Sequence, residues 1–164
     1  MHDAYSNPPI IALEGLEPVR LRPGMFVGPT DNPLLPNILL KEDLLTLHAC
    51  ANAKPPLVAT MTCTFGLAVL NALCSAMRLR IFQDGMEWAQ SYARGAALTK
   101  PEVIGPTSES GTELLFTLDE TILSAPVFSL DELASWARSS LVQLRLTLID
   151  EVTGRQVVVP GSAG

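Results

Sequence analysis

The stretch that most constrains the fold lies between Val58 and Arg94. The second half of Val58–Ser75 is apolar on nearly all sides at helical spacing, so it has no face to offer water and must be covered. Two strand-like runs follow at once, Met77–Phe82 and Met86–Arg94. Asp84-Gly85 between them is a favoured two-residue hairpin turn. A buried helix feeding antiparallel strands predicts a layered α+β domain.

The rest of the chain fits that plan. Ile10–Arg20 is expected to be a helix with Leu16 and Val19 on one side. Pro23-Gly24 signals a chain reversal, because Pro fixes φ and Gly accepts φ > 0. Met25–Val27 then reads as a short buried strand, and Thr30–Pro36 as a loop. Lys41–Ala53 is expected to be a helix with its acidic residues leading. Pro55-Pro56 marks a linker, Gly95–Pro106 a loop and Ser108–Leu118 a strand. Ser129–Ser140 reads as a helix, with Ser129 and Glu132 spaced as a capping box. Leu133, Trp136, Ala137 and Ser140 share one face of it. Leu144, Leu146 and Leu148 alternate with Arg145 and Thr147 in a half-buried strand, paired with Gln156–Val159 around Val152–Arg155. The expected fold is an α+β two-layer sandwich, a mostly antiparallel sheet with helices on one face. A single domain is expected over 10–160, with a flexible arm at 1–9 and a tail at 161–164.

Composition narrows the function classes. The 164 residues are 48% hydrophobic with mean hydropathy +0.28, which is enough for a sizeable core. Net charge −6 and a pI of about 4.8 lack the footprint of a phosphate-backbone binder, so no direct nucleic-acid binding is expected. The apolar runs are shorter than the roughly 20 residues that span a bilayer. The first ten residues lack the basic and apolar regions of a signal peptide. Cys50, Cys63 and Cys74 have no C-x-x-C spacing and read as reduced thiols of a cytoplasmic protein. With His2 and His48 as the two histidines, no metal centre is expected.

Four charged or titratable residues invite attention. Arg20 and Arg22, near a helix C-terminus, are expected to favour its dipole. His48 has no nucleophile or carboxylate placed beside it by sequence, so it reads as structural. Asp119 has no second carboxylate in a pairing pattern and reads as a solvated turn.

The segment LEPVRLRPGMFVG, Leu16–Gly28, resembles the LE-x-VR-x-RPGM-[YF]-[IV]-G stretch of the ATPase domain of gyrase B and topoisomerase IV B. Those are type II topoisomerase ATPases of the GHKL superfamily. Leu47-His48-Ala49 is similar to a later LHA of that family. Gly66 matches one glycine of its ATP lid, and Val69, Asn71, Ala72 and Leu73 match the helix after the lid. Gly111-Thr112 matches a Gly-Thr pair, and the strands around Val152–Arg155 follow the family pattern. The resemblance implies a GHKL fold and a descent from ATP-binding proteins.

The chain departs from the family where the chemistry sits. It contains neither the E-x-x-D-N helix, whose Glu activates water and whose Asn holds Mg²⁺, nor the D-x-G-x-G that reads adenine. Thr60, Met61 and Thr64 replace lid glycines, and Cys63 replaces a histidine. Side chains there obstruct the close approach of backbone N–H groups to phosphate. The expectation is a degenerate, non-catalytic domain with no catalytic residue, no metal and no cofactor. It would act through protein contacts, with itself as a homodimer or with a topoisomerase subunit. The alternative is residual ATP binding through Thr64, Gly66, Asn71 and Thr112.

Overall fold

The structure is a computed structural model, and it describes residues 15–50, 65–141 and 144–161. The arm at 1–9, the Pro55-Pro56 linker, Thr60–Thr64 and the last three residues lie outside the described residues.

The chain enters through two short helices, α1 (Glu17–Leu21) and α2 (Gly24–Val27). Among the described residues the first helix starts only at Glu17. Gly15 has φ +58, which an α-helix cannot continue, and Pro18 sits where its missing N–H costs nothing. The strand expected at Met25–Val27 is instead the single turn α2. Pro23 adopts αR (φ −58, ψ −37), and Gly28 closes the turn at φ +76 by donating its N–H to the Gly24 carbonyl. Met25 is 76% exposed, so the three residues are not a buried strand.

Helix α3 (Leu35–Cys50) begins six residues before the expected start at Lys41. Asn32 Oδ1 accepts from Leu34 N at 3.0 Å and shapes the entry, while Pro36 fits the first turn. Helix α4 (Phe65–Leu73) is the all-round apolar helix foreseen. Leu70 and Leu73 are fully buried, each contributing about 2 kcal/mol by area.

Strands β1 (Cys74–Gln83) and β2 (Met86–Ala93) form the expected hairpin on Asp84-Gly85. Both turn residues have positive φ, 55 and 75, as a type I′ turn requires. The region read as a loop at Gly95–Pro106 holds two short strands, β3 (Ala96–Ala97) and β4 (Glu102–Pro106). Both pair with the outer edge of β2. Strand β5 (Gly111–Leu118) pairs antiparallel with the other side of β1. Helix α5 (Leu130–Ser140) and the separate hairpin β6 (Leu146–Asp150) and β7 (Arg155–Val159) complete the fold.

Period-two alternation sorts the main sheet into two faces. Met77, Leu79 and Ile81 lie opposite Tyr92, Gln90 and Trp88. That face joins Val19, Leu35, Val69, Leu70 and Leu73 in the first core cluster. Arg78 and Arg80 face the other way. Arg80 binds Glu87 at 2.8 Å and Glu113 at 3.0 Å, with its guanidinium 5.0 Å from the Phe82 ring centre. A second cluster joins α5 to β6 and β7 through Leu133, Ala137, Leu148 and Val159, and Leu40 of α3 enters it. The fold is thus α+β, an antiparallel sheet with helices packed on one face.

Candidate functional site

One buried carboxylate, Asp119, lies at the foot of β1, where α4 ends. The last carbonyls of α4 have no partner within the helix. Arg20 supplies one: Nη1 donates to Ala72 O at 2.6 Å and to Cys74 O at 3.4 Å. Its Nη2 pairs with Asp119 Oδ2 at 2.6 Å, and Arg94 approaches the same oxygen at 3.8 Å. Thr121 donates from N and Oγ1 to Asp119 Oδ1, and Asp119 N donates to Leu73 O at 2.8 Å. Asp119 is 4% exposed, so the solvated turn expected there is a buried, fully bonded carboxylate. Arg20, and then Thr121, hold it down to about 2. Arg20 stands in the last turn of α1, as expected, and its guanidinium also closes α4.

A second group lies beside it. Asp43 of α3 is 1% exposed, and its Oδ2 has no hydrogen-bond partner. Burial, with a smaller push from Glu42, raises its carboxyl to about 7. Burial also pushes the Cys74 thiol up to about 12, with Asp43 adding to the rise and Arg20 opposing it. A thiol held that high is not a nucleophile at neutral pH. The cluster has the chemistry of a structural joint: one carboxylate fixed ionised, one favouring the neutral form, one inert thiol.

Three of the four residues expected to hold a nucleotide fall among the described residues. Thr64 lies outside the described residues, and Gly66 falls in the first turn of α4. Asn71 of α4 is 6% exposed, and its Oδ1 is buried without a partner. Thr112 is exposed near the start of β5, opposite Ile81. Cys74 pairs with Leu118 at the other end of the same ladder. At about 3.3 Å per residue, roughly 20 Å of strand separates the two levels. His48 is half-buried on α3. Among the described residues, no group of three or more His, Cys, Asp or Glu is placed to hold a metal ion. No helix among them is long and apolar enough to cross a membrane.

Three buried polar residues of consequence escaped the sequence reading. Asp43 had a signal: it falls in the apolar stripe Leu40, Leu44, Leu47 at helical spacing. Asn37 had none, since its partners are distant in sequence. It accepts from Ser129 N at 3.1 Å and donates to Glu132 Oε2 at 2.5 Å. The capping box is accordingly half made. Glu132 N donates to Ser129 Oγ at 3.4 Å, but Asn37 takes the Ser129 N–H, and the Glu132 carboxylate turns to Asn37 and Lys41. Gln90 is likewise buried, accepting from Tyr92 Oη at 2.7 Å and donating to Thr99 O at 3.0 Å.

No family model matches the chain. Curated relatives do. DNA gyrase B of Thermotoga maritima is 28% identical over 181 residues, covering 79% of this chain and 28% of its own length. DNA topoisomerase IV B of Bacillus subtilis is 25% identical over 202 residues, covering 90% of this chain and 31% of its own. The chain is a distant relative of these proteins. The solved 43K ATPase domain of Thermus thermophilus gyrase B, in complex with an aminocoumarin, shares the fold. Its TM-score is 0.70 at 22% identity, over 90% of this chain and 51% of that one. The chain thus spans under a third of these two gyrase-type proteins and about half of the solved domain. The alignments are longer than the part of this chain they use, so roughly fifty positions of each relative face no residue here.

Proposed function

We propose that this chain is a non-catalytic gyrase B-like module that works through protein contacts. The observation that carries the reading is the contrast between Asn71 and Thr112. One is a buried amide on α4, the helix that ends where β1 begins, and the other an exposed hydroxyl paired with Ile81 near the far end of β1. A nucleotide would have to reach both. The residues present do not fit ATP and Mg²⁺ as the family holds them, because the chain lacks the E-x-x-D-N and D-x-G-x-G patterns. Among the described residues the scaffold holds a hairpin-based sheet, an α4 that is buried along most of Leu67–Leu73, and Arg20 closing that helix.

The test is calorimetric titration with a non-hydrolysable ATP analogue, with and without Mg²⁺, alongside melting curves. A ligand that binds only the native state stabilises it by RT ln(1 + [L]/Kd). The reading expects no heat and no melting shift up to millimolar analogue. Saturable binding would overturn it in favour of residual nucleotide binding, and Thr112→Ala would then be the first variant to titrate.

A further inference from the structure

The main sheet ends on β5, and among the described residues its outer edge pairs with no strand. Unpaired edges template the pairing of other chains, and folded proteins blunt them with Lys, Pro, bulges or short length. Strand β5 is eight residues long, GTELLFTL, with no Lys and no Pro. Its one charged side chain, Glu113, is already engaged by Arg80 on the inner strand.

We infer that a second copy of this chain occupies that edge, β5 against β5 in antiparallel register about a twofold axis at Leu115. The side chains select the partner and the register. Directly opposite residues in an antiparallel pair share a face, so a twofold pairing must join positions of like parity. Centred on Leu115, which is 45% exposed, the axis sets Leu115 against its own copy. Leu114 then meets Phe116, both only partly buried at the rim of the first cluster. Glu113 meets Thr117, and Thr112 meets Leu118. Centred on Glu113, like charges would face each other directly, which destabilises a sheet. Centred on Leu114, Glu113 would face Leu115 and Thr112 would face Phe116. Centred on Phe116, Glu113 would face Asp119. Among these only the Leu115 register joins apolar to apolar at its middle without setting Glu113 against an apolar side chain or a like charge. The edge therefore reads as self-complementary.

The inference rests on the protein-contact reading above, and names the partner. The experiment is light scattering on the full chain at about 100 µM, a range that detects micromolar association. Cross-linking of introduced cysteines under mild oxidation accompanies it, with the unsubstituted chain, which carries Cys50, Cys63 and Cys74, oxidised in parallel. Dimers are expected. Leu115→Lys should weaken them by about tenfold or more, since it sets like charges opposite each other. Leu115→Cys should cross-link to its own copy, because paired Cα atoms about 4.5–5.5 Å apart suit a disulfide. Glu113→Cys should not, because the register puts the two copies roughly 13 Å apart. Should Leu115→Lys fail to fold, the two cysteine variants still decide the register. A monomeric chain, or a dimer that links through Glu113→Cys and not Leu115→Cys, overturns the inference. A monomer indifferent to nucleotide overturns the edge pairing and leaves the protein-contact reading standing. A β5-linked dimer that binds the ATP analogue overturns that reading and leaves the edge pairing standing.

Discussion

Asp43→Asn should make this protein more stable at neutral pH and flatten its pH dependence. The Asp43 carboxyl is 1% exposed, and burial raises it from 3.8 to about 7. In the unfolded chain the same group ionises near 3.8. Between those values the native state holds a proton that the unfolded state has released, so stability falls as pH rises through the window. Above about 7 the loss is complete. Each pKa unit corresponds to about 1.4 kcal/mol, so the folded state loses about 4 kcal/mol between pH 4 and pH 8 through this group. Asparagine has the same shape and no charge to desolvate. For a domain of this size 1 kcal/mol moves the midpoint by about 2–4 °C, so Asp43→Asn should melt about 10 °C higher at pH 8. At pH 4.5 the contribution of this group should shrink to about 1 kcal/mol. The assay is thermal or urea unfolding of both proteins from pH 4.5 to 8, scored as the difference between them, which cancels the titration of the other carboxylates. If the difference is constant across that range, Asp43 is not a desolvated acid and the reasoning is wrong.

Four further outcomes follow from the geometry. Arg20→Ala uncaps α4 and leaves Asp119 buried beside only a distant Arg94, and urea unfolding should show a loss of about 2–4 kcal/mol. Gly95→Ala should cost about 1–3 kcal/mol in the same assay. Gly95 sits at φ +83, and a Cβ there would lie 3.1 Å from Leu16 Cβ and 3.3 Å from Ala72 Cα. Asn37→Ala removes the partner of Ser129 N–H and one partner of Glu132, so its melting midpoint should fall by about 4–8 °C. Thr112→Ala, at an exposed position, should stay within about 0.5 kcal/mol of the parent.

What the sequence revealed divides by the range of the interactions. Asp84-Gly85 specified its turn locally, because both positions need φ > 0 and the flanks alternate. Helix α4 was legible because no orientation of it exposes a polar face. The failures were non-local or marginal. Met25–Val27 is an apolar triplet too short for periodicity to separate a helical turn from a strand, and Pro23 in αR decided it. The strands β3 and β4 are short edge pieces, the second containing Gly105 and Pro106, and both read as loop. Asp119 looked solvated because Arg20, which pairs with its buried charge, stands 99 residues away. At the candidate site the family resemblance supplied Asn71 and Thr112 as names, and only the strand register showed that Thr112 lies at the other end of β1 from Cys74, where α4 ends.

The second core cluster sets how this molecule opens. The hairpin β6–β7 forms no part of the main sheet, and its apolar face is covered by α5, with Leu40 and Phe116 lent from the larger layer. A unit of that kind can detach at less than the global unfolding free energy, since opening it leaves β1, β2 and α4 packed. Amide protons of Leu146–Val159 should therefore exchange through a cheaper, sub-global route than those of Met77–Ile81. Phe116, edge-on to Phe128 at 5.6 Å and shared by both clusters, is the hinge of that cooperativity. The strand that carries it is β5, so binding at the outer edge of β5 should also slow exchange in the β6–β7 hairpin.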